Sequence, residues 1–240
     1  MNWNTMTLNV HLPNSSFARD SLKKEFYQLP YDGQQTIGDF LGTDFNRWRR
    51  IEEIINEDIS IGQYYLTDGG LEFSAQMKIG SKVLSLLIPE AKPVKLIVPM
   101  LCPCCGQEWP KDKPVPPGLE LIPKEVESIE YTGIIIDCRG LKFNPTLFPK
   151  IYNEVLNEVY SVNFASRGAI IDNGLVLYTT EEIYNHPRIG YNPLRIRALG
   201  TTGQRFSDIQ ISSYDARRIH GSKKNLNLLK ECRVAIIFSP

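Results

Sequence analysis

The sequence has little of several features that mark major protein classes. Its 27 Lys and Arg residues balance 27 Asp and Glu residues, and this lack of net charge excludes strong global attraction to nucleic acid or to an anionic membrane surface. No apolar run approaches the length of about 18 residues that a membrane-spanning helix needs, so we expect no transmembrane helix. Five cysteines are too few for a disulfide framework, and their odd number leaves one unpaired.

The motifs of common enzyme classes are missing as well. The sequence has no GxSxG nucleophile elbow, no phosphate-binding glycine loop with its lysine, and no dinucleotide-binding glycine spacing. The three histidines, His11, His186 and His220, lie far apart and form none of the paired-histidine metal motifs. We therefore predict no catalytic residues, no cofactor-binding residues, and a protein that is not an enzyme.

Three carboxylates keep an enzymatic alternative open. Asp137, Asp208 and Asp215 lie at predicted strand ends, where they could line a cleft between two modules. A carboxylate at a strand end more often caps a turn, and Asp137 can form an ion pair with Arg139. The enzymatic hypothesis therefore ranks last.

The distribution of proline divides the chain into three parts. Nine of the sixteen prolines lie between Pro89 and Pro123, and the segment PVPPG among them is incompatible with a helix or a central strand. We therefore predict a first module over residues 1–89, a proline-rich linker over 90–128 and a second domain over 129–240.

The first module is predicted to be a small α+β sandwich with the order β-α-α-β-β and helices on one face of the sheet. One helix follows a cap at Asn14 or Ser15, and a second follows Asp44. The predicted apolar stripe of the second helix consists of Phe45, Trp48, Ile51, Ile54 and Ile55. The predicted strands cover 7–12, about 59–66 and 71–77, with a hairpin turn at 68–70, and residues 80–88 fit either a short helix or a final strand.

The second domain is predicted to be strand-rich, with a mixed sheet and few helices. A buried strand begins near Tyr131 and ends at Arg139, and a hairpin turns around Asn157. The other predicted strands are 175–178, 194–199, 208–212 and 233–238, and the predicted helices run from 213 or 214 through 219 and over 223–232. The fold class of the whole chain is therefore α+β.

The sharpest local pattern is CPCCGQEWP, which begins at Cys102. The spacing of Cys102 and Cys105, followed by Gly106, matches half of a zinc ribbon, because two thiolates so spaced can reach one tetrahedral metal ion. Structural zinc needs four protein ligands, and Cys138 and Cys232 could supply the rest only if their strands end beside this turn. The alternatives are a reduced turn, a Cys102–Cys105 disulfide, a metal site completed by a second subunit, or a redox site, although the prolines that follow leave no helix to lower a thiol pKa as in thioredoxin-type sites.

Several motifs in the second domain resemble a bacterial envelope domain of uncharacterised function. The segment YTGIIIDCRGL at 131–141, with Pro145, PKI at 149–151 and VY at 159–160, is similar to the family signature that begins YTGxxxDxRGL. The resemblance continues farther along the chain with the motifs NPL at 192–194, SD at 207–208, DA at 215–216 and CRV at 232–234. Members often carry Ala where Cys138 stands, which implies that this cysteine is not an essential ligand.

Segments of the first module are similar to the flagellar basal-disk lipoprotein family. The similarity rests on Trp48, on YYLTDGGLE at 64–72 and on the stretch from Leu84 to Pro89. The resemblance implies a compact SHS2-like module, a role in rings under the outer membrane, and no catalytic residues. The family's secretion leader and lipid-bearing N-terminal cysteine are absent from this sequence, so a cytoplasmic location is the alternative to the periplasm or outer membrane.

These observations favour a non-enzymatic scaffold or assembly protein of the bacterial cell envelope. Small sheets with open edges can assemble by strand addition, so the expected product is a ring or filament related to the flagellum or outer membrane. The expected partners are further copies of the chain and other envelope proteins, with no nucleic acid. The alternative function is a zinc-binding structural module that uses Cys102 and Cys105.

Overall fold

The computed structural model describes residues 1–12, 17–65, 71–110, 113–124 and 129–239. Within these ranges the chain forms seven helices and thirteen strands in four sheets, which confirms the α+β class. None of these helices is long and apolar enough to cross a membrane. The predicted hairpin turn at 68–70 and the predicted cap at Asn14 or Ser15 lie outside the described residues.

The N-terminal module contains a three-stranded antiparallel sheet and four helices. Its strands are β1 (Thr7–Leu12), β2 (Ser60–Tyr65) and β3 (Leu71–Lys78), and its helices are α1 (Ala18–Gln28), α2 (Ile37–Leu41), α3 (Phe45–Asp58) and α4 (Ser81–Leu87). β3 lies between the other two strands, so β1 and β2 are the edges of the sheet. The predicted order β-α-α-β-β is confirmed, with α2 as a short additional helix. Residues 80–88, which fitted either a short helix or a final strand, contain helix α4.

Helix α3 begins where the sequence predicts. The side chain of Asp44 accepts a hydrogen bond from the backbone N–H of Arg47 at 3.0 Å and so caps the first turn. The buried face of α3 carries Ile51 and Ile55. The predicted stripe is wrong at Phe45, which is 79% exposed, because a position six residues before Ile51 is rotated by about 120° away from it on a helix.

The proline-rich linker is packed against the second domain. It contains a small two-stranded sheet formed by β4 (Met100–Leu101) and β5 (Ile122–Pro123). The backbone N–H of Lys92 donates to the side-chain oxygen of Asn163 at 2.8 Å, and the N–H of Ile97 donates to Nδ1 of His220 at 3.1 Å. These long-range bonds fix the first part of the linker on the protein surface.

The second domain is strand-rich, as predicted, and its strands form two four-stranded sheets. The strands are β6 (Ile134–Asp137), β7 (Ile151–Asn153), β8 (Glu158–Tyr160), β9 (Leu177–Thr179), β10 (Leu194–Arg197), β11 (Gly200–Thr202), β12 (Asp208–Ile211) and β13 (Val234–Ile237), and the helices are α5 (Arg167–Asn173), α6 (Ser213–His220) and α7 (Lys223–Lys230). One sheet has the order β10-β6-β13-β9, and every pair in it is parallel. The other sheet has the order β11-β12-β7-β8 and is mixed.

The parallel sheet explains the most apolar segments of the sequence. All four residues of β13 are buried, as are the first three of β6. Strands covered on both faces read as continuous apolar runs rather than as alternating patterns. The antiparallel pairing of β7 with β8 confirms the predicted hairpin around Asn157, whereas β11 and α5 were not predicted.

The N-terminal module and the second domain share one continuous apolar core. The backbone N–H of Leu147 donates to the carbonyl of Pro30 at 3.1 Å, and that of Phe148 donates to the carbonyl of Tyr31 at 2.9 Å. Tyr31 is buried, and its ring stacks on Phe40 at 4.0 Å between centroids. The two parts are therefore firmly packed together, while the predicted domain boundaries stay a prediction.

Candidate functional site

The cysteine turn of the linker forms the tip of a β-hairpin. The arms are joined by hydrogen bonds from the N–H of Trp109 to the carbonyl of Met100 at 2.6 Å and from the N–H of Cys102 to the carbonyl of Gln107 at 2.8 Å. Gly106 closes the tip with a 2.8 Å bond from its N–H to the carbonyl of Cys102, at a φ of 71° that favours glycine. The sequence CPCCG therefore folds as a tight, hydrogen-bonded turn.

The turn favours the ionised form of the Cys102 thiol. The nearby backbone N–H groups of Cys105 and Cys104, together with the two neighbouring thiols, lower the pKa of Cys102 below its usual value. Cys102 is half-buried, whereas Cys104 and Cys105 are exposed, and all three are free thiols. This environment stabilises the thiolate, which is the form that binds metals.

The two remaining cysteines do not join this turn. Cys138 and Cys232 are buried, and burial raises the pKa of both thiols, that of Cys138 to about 12. Among the described residues, no group of three or more His, Cys, Asp or Glu side chains is placed to hold a metal ion. The alternative in which Cys138 and Cys232 complete a four-cysteine site is therefore wrong, and Cys102 and Cys105 stay a predicted pair of ligands.

Asp137 is engaged by a neighbouring arginine. The guanidinium of Arg139 donates to the two carboxylate oxygens of Asp137 at 2.8 and 2.7 Å, and these bonds hold the pKa of Asp137 below its usual value. Arg139 also lies 3.0 Å from a carboxylate oxygen of Glu182. The ion-pair interpretation of Asp137 is confirmed.

The other two candidate carboxylates have separate structural partners. The backbone N–H of Asp215 donates to the hydroxyl of Ser212 at 3.0 Å, and its carboxylate accepts from the same hydroxyl at 2.7 Å, which caps α6. Asp208 is 6% exposed, accepts a hydrogen bond from the N–H of Lys150 at 3.0 Å and lies against Gly33 of the first module. Burial raises the pKa of Asp208. Both carboxylates thus serve contacts within the fold.

His220 also has a structural environment. It is completely buried, its Nδ1 accepts from the N–H of Ile97, and its Nε2 donates to the carbonyl of Val159 at 2.8 Å. Desolvation lowers the pKa of this imidazole to about 4, so it is neutral at physiological pH. His11 and His186 lie in other parts of the fold, where His11 is exposed and His186 is half-buried.

The β2 edge is the most exposed apolar strand edge of the N-terminal sheet. Ile61 is 42% exposed, Tyr64 55% and Tyr65 80%. In the pairing with β3, Ile61 lies opposite Ala75 and Tyr65 lies opposite Leu71. Because side chains alternate along a strand, Ile61 and Tyr65, four residues apart, lie on the same face. In the described part of the chain no strand pairs with the outer side of β2. Sequence reasoning found this strand and missed its exposure, although its segment SIGQYY lacks the charges and proline that usually protect an edge.

A groove with a volume of about 1130 Å³ lies between the linker and the β7–β8 hairpin. Its lining combines apolar side chains such as Val94, Trp109 and Leu156 with the oppositely charged Lys95 and Glu158. This mixture favours no single class of small molecule.

The class that emerges is a two-part α+β protein whose three candidate acids and His220 are held in structural contacts. Residues 133–240 match a family model described as the second domain of Treponema pallidum Tp0624. The matched segment contains both sheets of the second domain and covers less than half of the chain, so the second domain is similar to an uncharacterised bacterial protein domain. No curated protein matches this sequence. The match begins after the first module, and it gives no support to the resemblance between that module and the flagellar basal-disk lipoprotein family.

Proposed function

We propose that this chain is a non-enzymatic structural protein of the bacterial cell envelope that self-associates into rings or filaments. The observation that carries self-association is the uncharged, apolar edge of β2, with which no further strand pairs in the described part of the chain. This edge joins two copies, and growth into a ring or filament requires a second contact between copies. An open edge presents backbone N–H and C=O groups in register, and a second strand satisfies them with little demand on side chains. A location in the periplasm or at the outer membrane, and a relation to the flagellum, rest on sequence resemblance alone.

β2 can pair with a second copy of itself in a register that suits its side chains. In an antiparallel pair around a twofold axis at Gln63, Ile61 of one copy lies opposite Tyr65 of the other, and Gly62 lies opposite Tyr64. Such cross-strand pairs contribute about 0.2–1 kcal/mol each. Tyr64 already lies beside Gly62 in its own strand, since a Cβ on Gly62 would be 3.3 Å from the tyrosine ring. An aromatic side chain beside a strand glycine shields the backbone there.

Charge also favours association between copies. The formal net charge is zero, and the strand SIGQYY contains no charged side chain. Two copies therefore approach each other along β2 without long-range repulsion or buried like charges. The structural partners of Asp137, Asp208 and Asp215 support a function other than catalysis.

The test is the solution mass of the purified protein across a range of concentrations, by light scattering after size exclusion. Chelator and reductant are present throughout, so that metal and disulfides cannot join the chains. We expect the mass to rise above the 27.3 kDa of the monomer as concentration increases. A wild-type protein that stays monomeric at the highest concentration would overturn the proposal.

A matched pair of variants locates the contact. Tyr65→Lys places a charge on the β2 edge, whereas Tyr184→Lys makes the same change at a tyrosine that is also 80% exposed. We expect Tyr65→Lys to be monomeric and Tyr184→Lys to associate like the wild type. Equal association of both variants would show that β2 is not the contact.

A further inference from the structure

We infer that the hairpin tip at residues 102–106 is half of a tetrahedral zinc site, which a second copy of this chain completes with the same two ligands, Cys102 and Cys105. The inference rests on the proposed self-association only in that a second copy must supply two of the four thiolates, and it does not require the β2 contact. It concerns a surface of the linker, separate in sequence and sheet from the β2 edge.

The chain reverses directly after the two proposed ligands. Cys102 ends one arm, Gly106 turns the chain back, and the N–H of Gly106 bonds to the carbonyl of Cys102 at 2.8 Å. Two residues separate Cys102 from Cys105, which is the ligand spacing found in each half of a zinc ribbon. Cys102 and Cys105 are both free thiols, Cys102 half-buried and Cys105 exposed, so neither is committed to a disulfide.

The number of available ligands points to a second chain. Structural zinc takes four protein ligands, and in the described part of the chain no third His, Cys, Asp or Glu side chain joins the pair. A twofold axis through the metal ion would provide two copies of Cys102 and two of Cys105, and would complete the tetrahedron without any other residue. Thiolate ligands are soft and favour zinc over hard cations such as magnesium.

The tip is accessible to a second copy. Residues 103–108 are all exposed, so two tips can approach without unfolding either hairpin. Behind the tip, the ammonium of Lys124 lies 2.8 Å from a carboxylate oxygen of Glu108. This internal pairing limits repulsion between two apposed hairpins.

The experiment uses the full chain with Co²⁺ and Zn²⁺ under reducing conditions. It is done in the Tyr65→Lys background, so that β2 does not contribute to the mass. Titration with Co²⁺ should produce the thiolate-to-cobalt charge-transfer and intense d–d absorption of a tetrahedral sulfur site, saturating at one metal ion for two chains. Addition of Zn²⁺ should bleach these bands, and light scattering should show a doubling of mass.

Serine variants of the turn identify the ligands. We expect Cys102→Ser and Cys105→Ser to lose both the absorption bands and the doubling of mass. Cys104→Ser is the matched control and should retain both. Saturation at one metal ion per chain without dimerisation, absence of the thiolate bands, or loss of binding in Cys104→Ser would each overturn the inference.

The two proposals fail in different ways. If metal-free wild-type protein associates but no thiolate bands appear, the zinc inference is wrong and the β2 contact stands. If zinc dimerises the Tyr65→Lys variant while metal-free wild-type protein is monomeric, the zinc site stands and the β2 contact is wrong.

Discussion

A single buried imidazole, that of His220, connects three segments of the chain. It lies in α6, accepts a hydrogen bond from Ile97 in the linker and donates one to Val159 in β8. Only the neutral tautomer with a proton on Nε2 can make both contacts. The packing of the linker therefore depends on the protonation state of one side chain.

We predict that acid destabilises the protein through His220. The pKa of this imidazole is about 4 in the folded chain, against about 6.5 in an unfolded one, so the unfolded state takes up the proton first as pH falls. The stabilisation is therefore complete above pH about 6.5 and is lost as pH falls towards about 4. Between pH 7 and pH 5 the free energy of unfolding should fall by about 2 kcal/mol from this group, as measured by urea denaturation.

The variant His220→Gln tests the assignment. It should be less stable than the wild type at pH 7, because a well-packed buried ring is removed, but it should lose less stability between pH 7 and pH 5. An unchanged loss in the variant would assign the acid sensitivity to other groups.

We predict that Gly33→Ala weakens the contact between the N-terminal module and the second domain. A Cβ at this position would lie 2.7 Å from a carboxylate oxygen of the buried Asp208, which Lys150 holds through its N–H. The expected loss in the free energy of unfolding is about 1–3 kcal/mol, measured by urea denaturation. Gly168→Ala is the control, since a Cβ there meets nothing within 4 Å and alanine favours the helix α5, so its stability should be unchanged or higher.

Residues with local partners were predictable, whereas those with distant partners were not. Asp137 and Arg139 are two positions apart, and Asp44 caps a helix that starts at the next residue, so the sequence showed both contacts. The partners of Asp208 and His220 lie on other elements, and only the tertiary fold brings them together. For the same reason the spacing of Cys102 and Cys105 was visible in the sequence. That Cys138 and Cys232 do not join them in one metal site was not visible, because it depends on the tertiary fold.

At the scale of elements, the strand β2 leads to a prediction about register. In the self-pair described above, the two copies of Gln63 lie opposite each other, with Cα atoms about 4.5–5.5 Å apart, which is within disulfide range. With the three cysteines of the hairpin tip replaced by serine, Gln63→Cys should therefore form a disulfide-linked dimer under mild oxidation, detected by non-reducing electrophoresis.

Tyr65→Cys in the same background is the matched control. Its two copies would be four residues out of register, about 13 Å apart, so little cross-linking is expected. Equal cross-linking at both positions would indicate random collision, and stronger cross-linking at position 65 would exclude the register centred on Gln63.

Long elements with a clear period were predicted, and short or irregular ones were not. Helix α3 has fourteen residues and a strong apolar face, and β3 has eight residues, so periodicity and turn residues identified them. β11 has three residues and α5 has seven, which is too short for a period to stand out. The division of the strands into two sheets depends on long-range pairing, such as β12 with β7, which local sequence does not encode.

At the scale of the whole molecule, the two proposed contacts together determine what kind of assembly forms. The β2 edge and the hairpin tip are each self-complementary, so either one alone joins two copies and then is saturated. A chain that uses both contacts has a free contact left at each end of every dimer. Growth then continues into a filament, or closes into a ring if the angle between the two twofold axes allows it.

We therefore predict that zinc changes the size of the assembly and not only its stability. Wild-type protein with zinc should form species well beyond a dimer, visible by light scattering and negative-stain microscopy. Tyr65→Lys with zinc and Cys105→Ser with or without zinc should each stop at about twice the 27.3 kDa monomer mass, because one contact is left in each. The double variant should be monomeric in all conditions. If wild-type protein with zinc also stops at a dimer, the two contacts cannot be occupied at the same time, and the chain is a dimerising unit instead of a polymerising one.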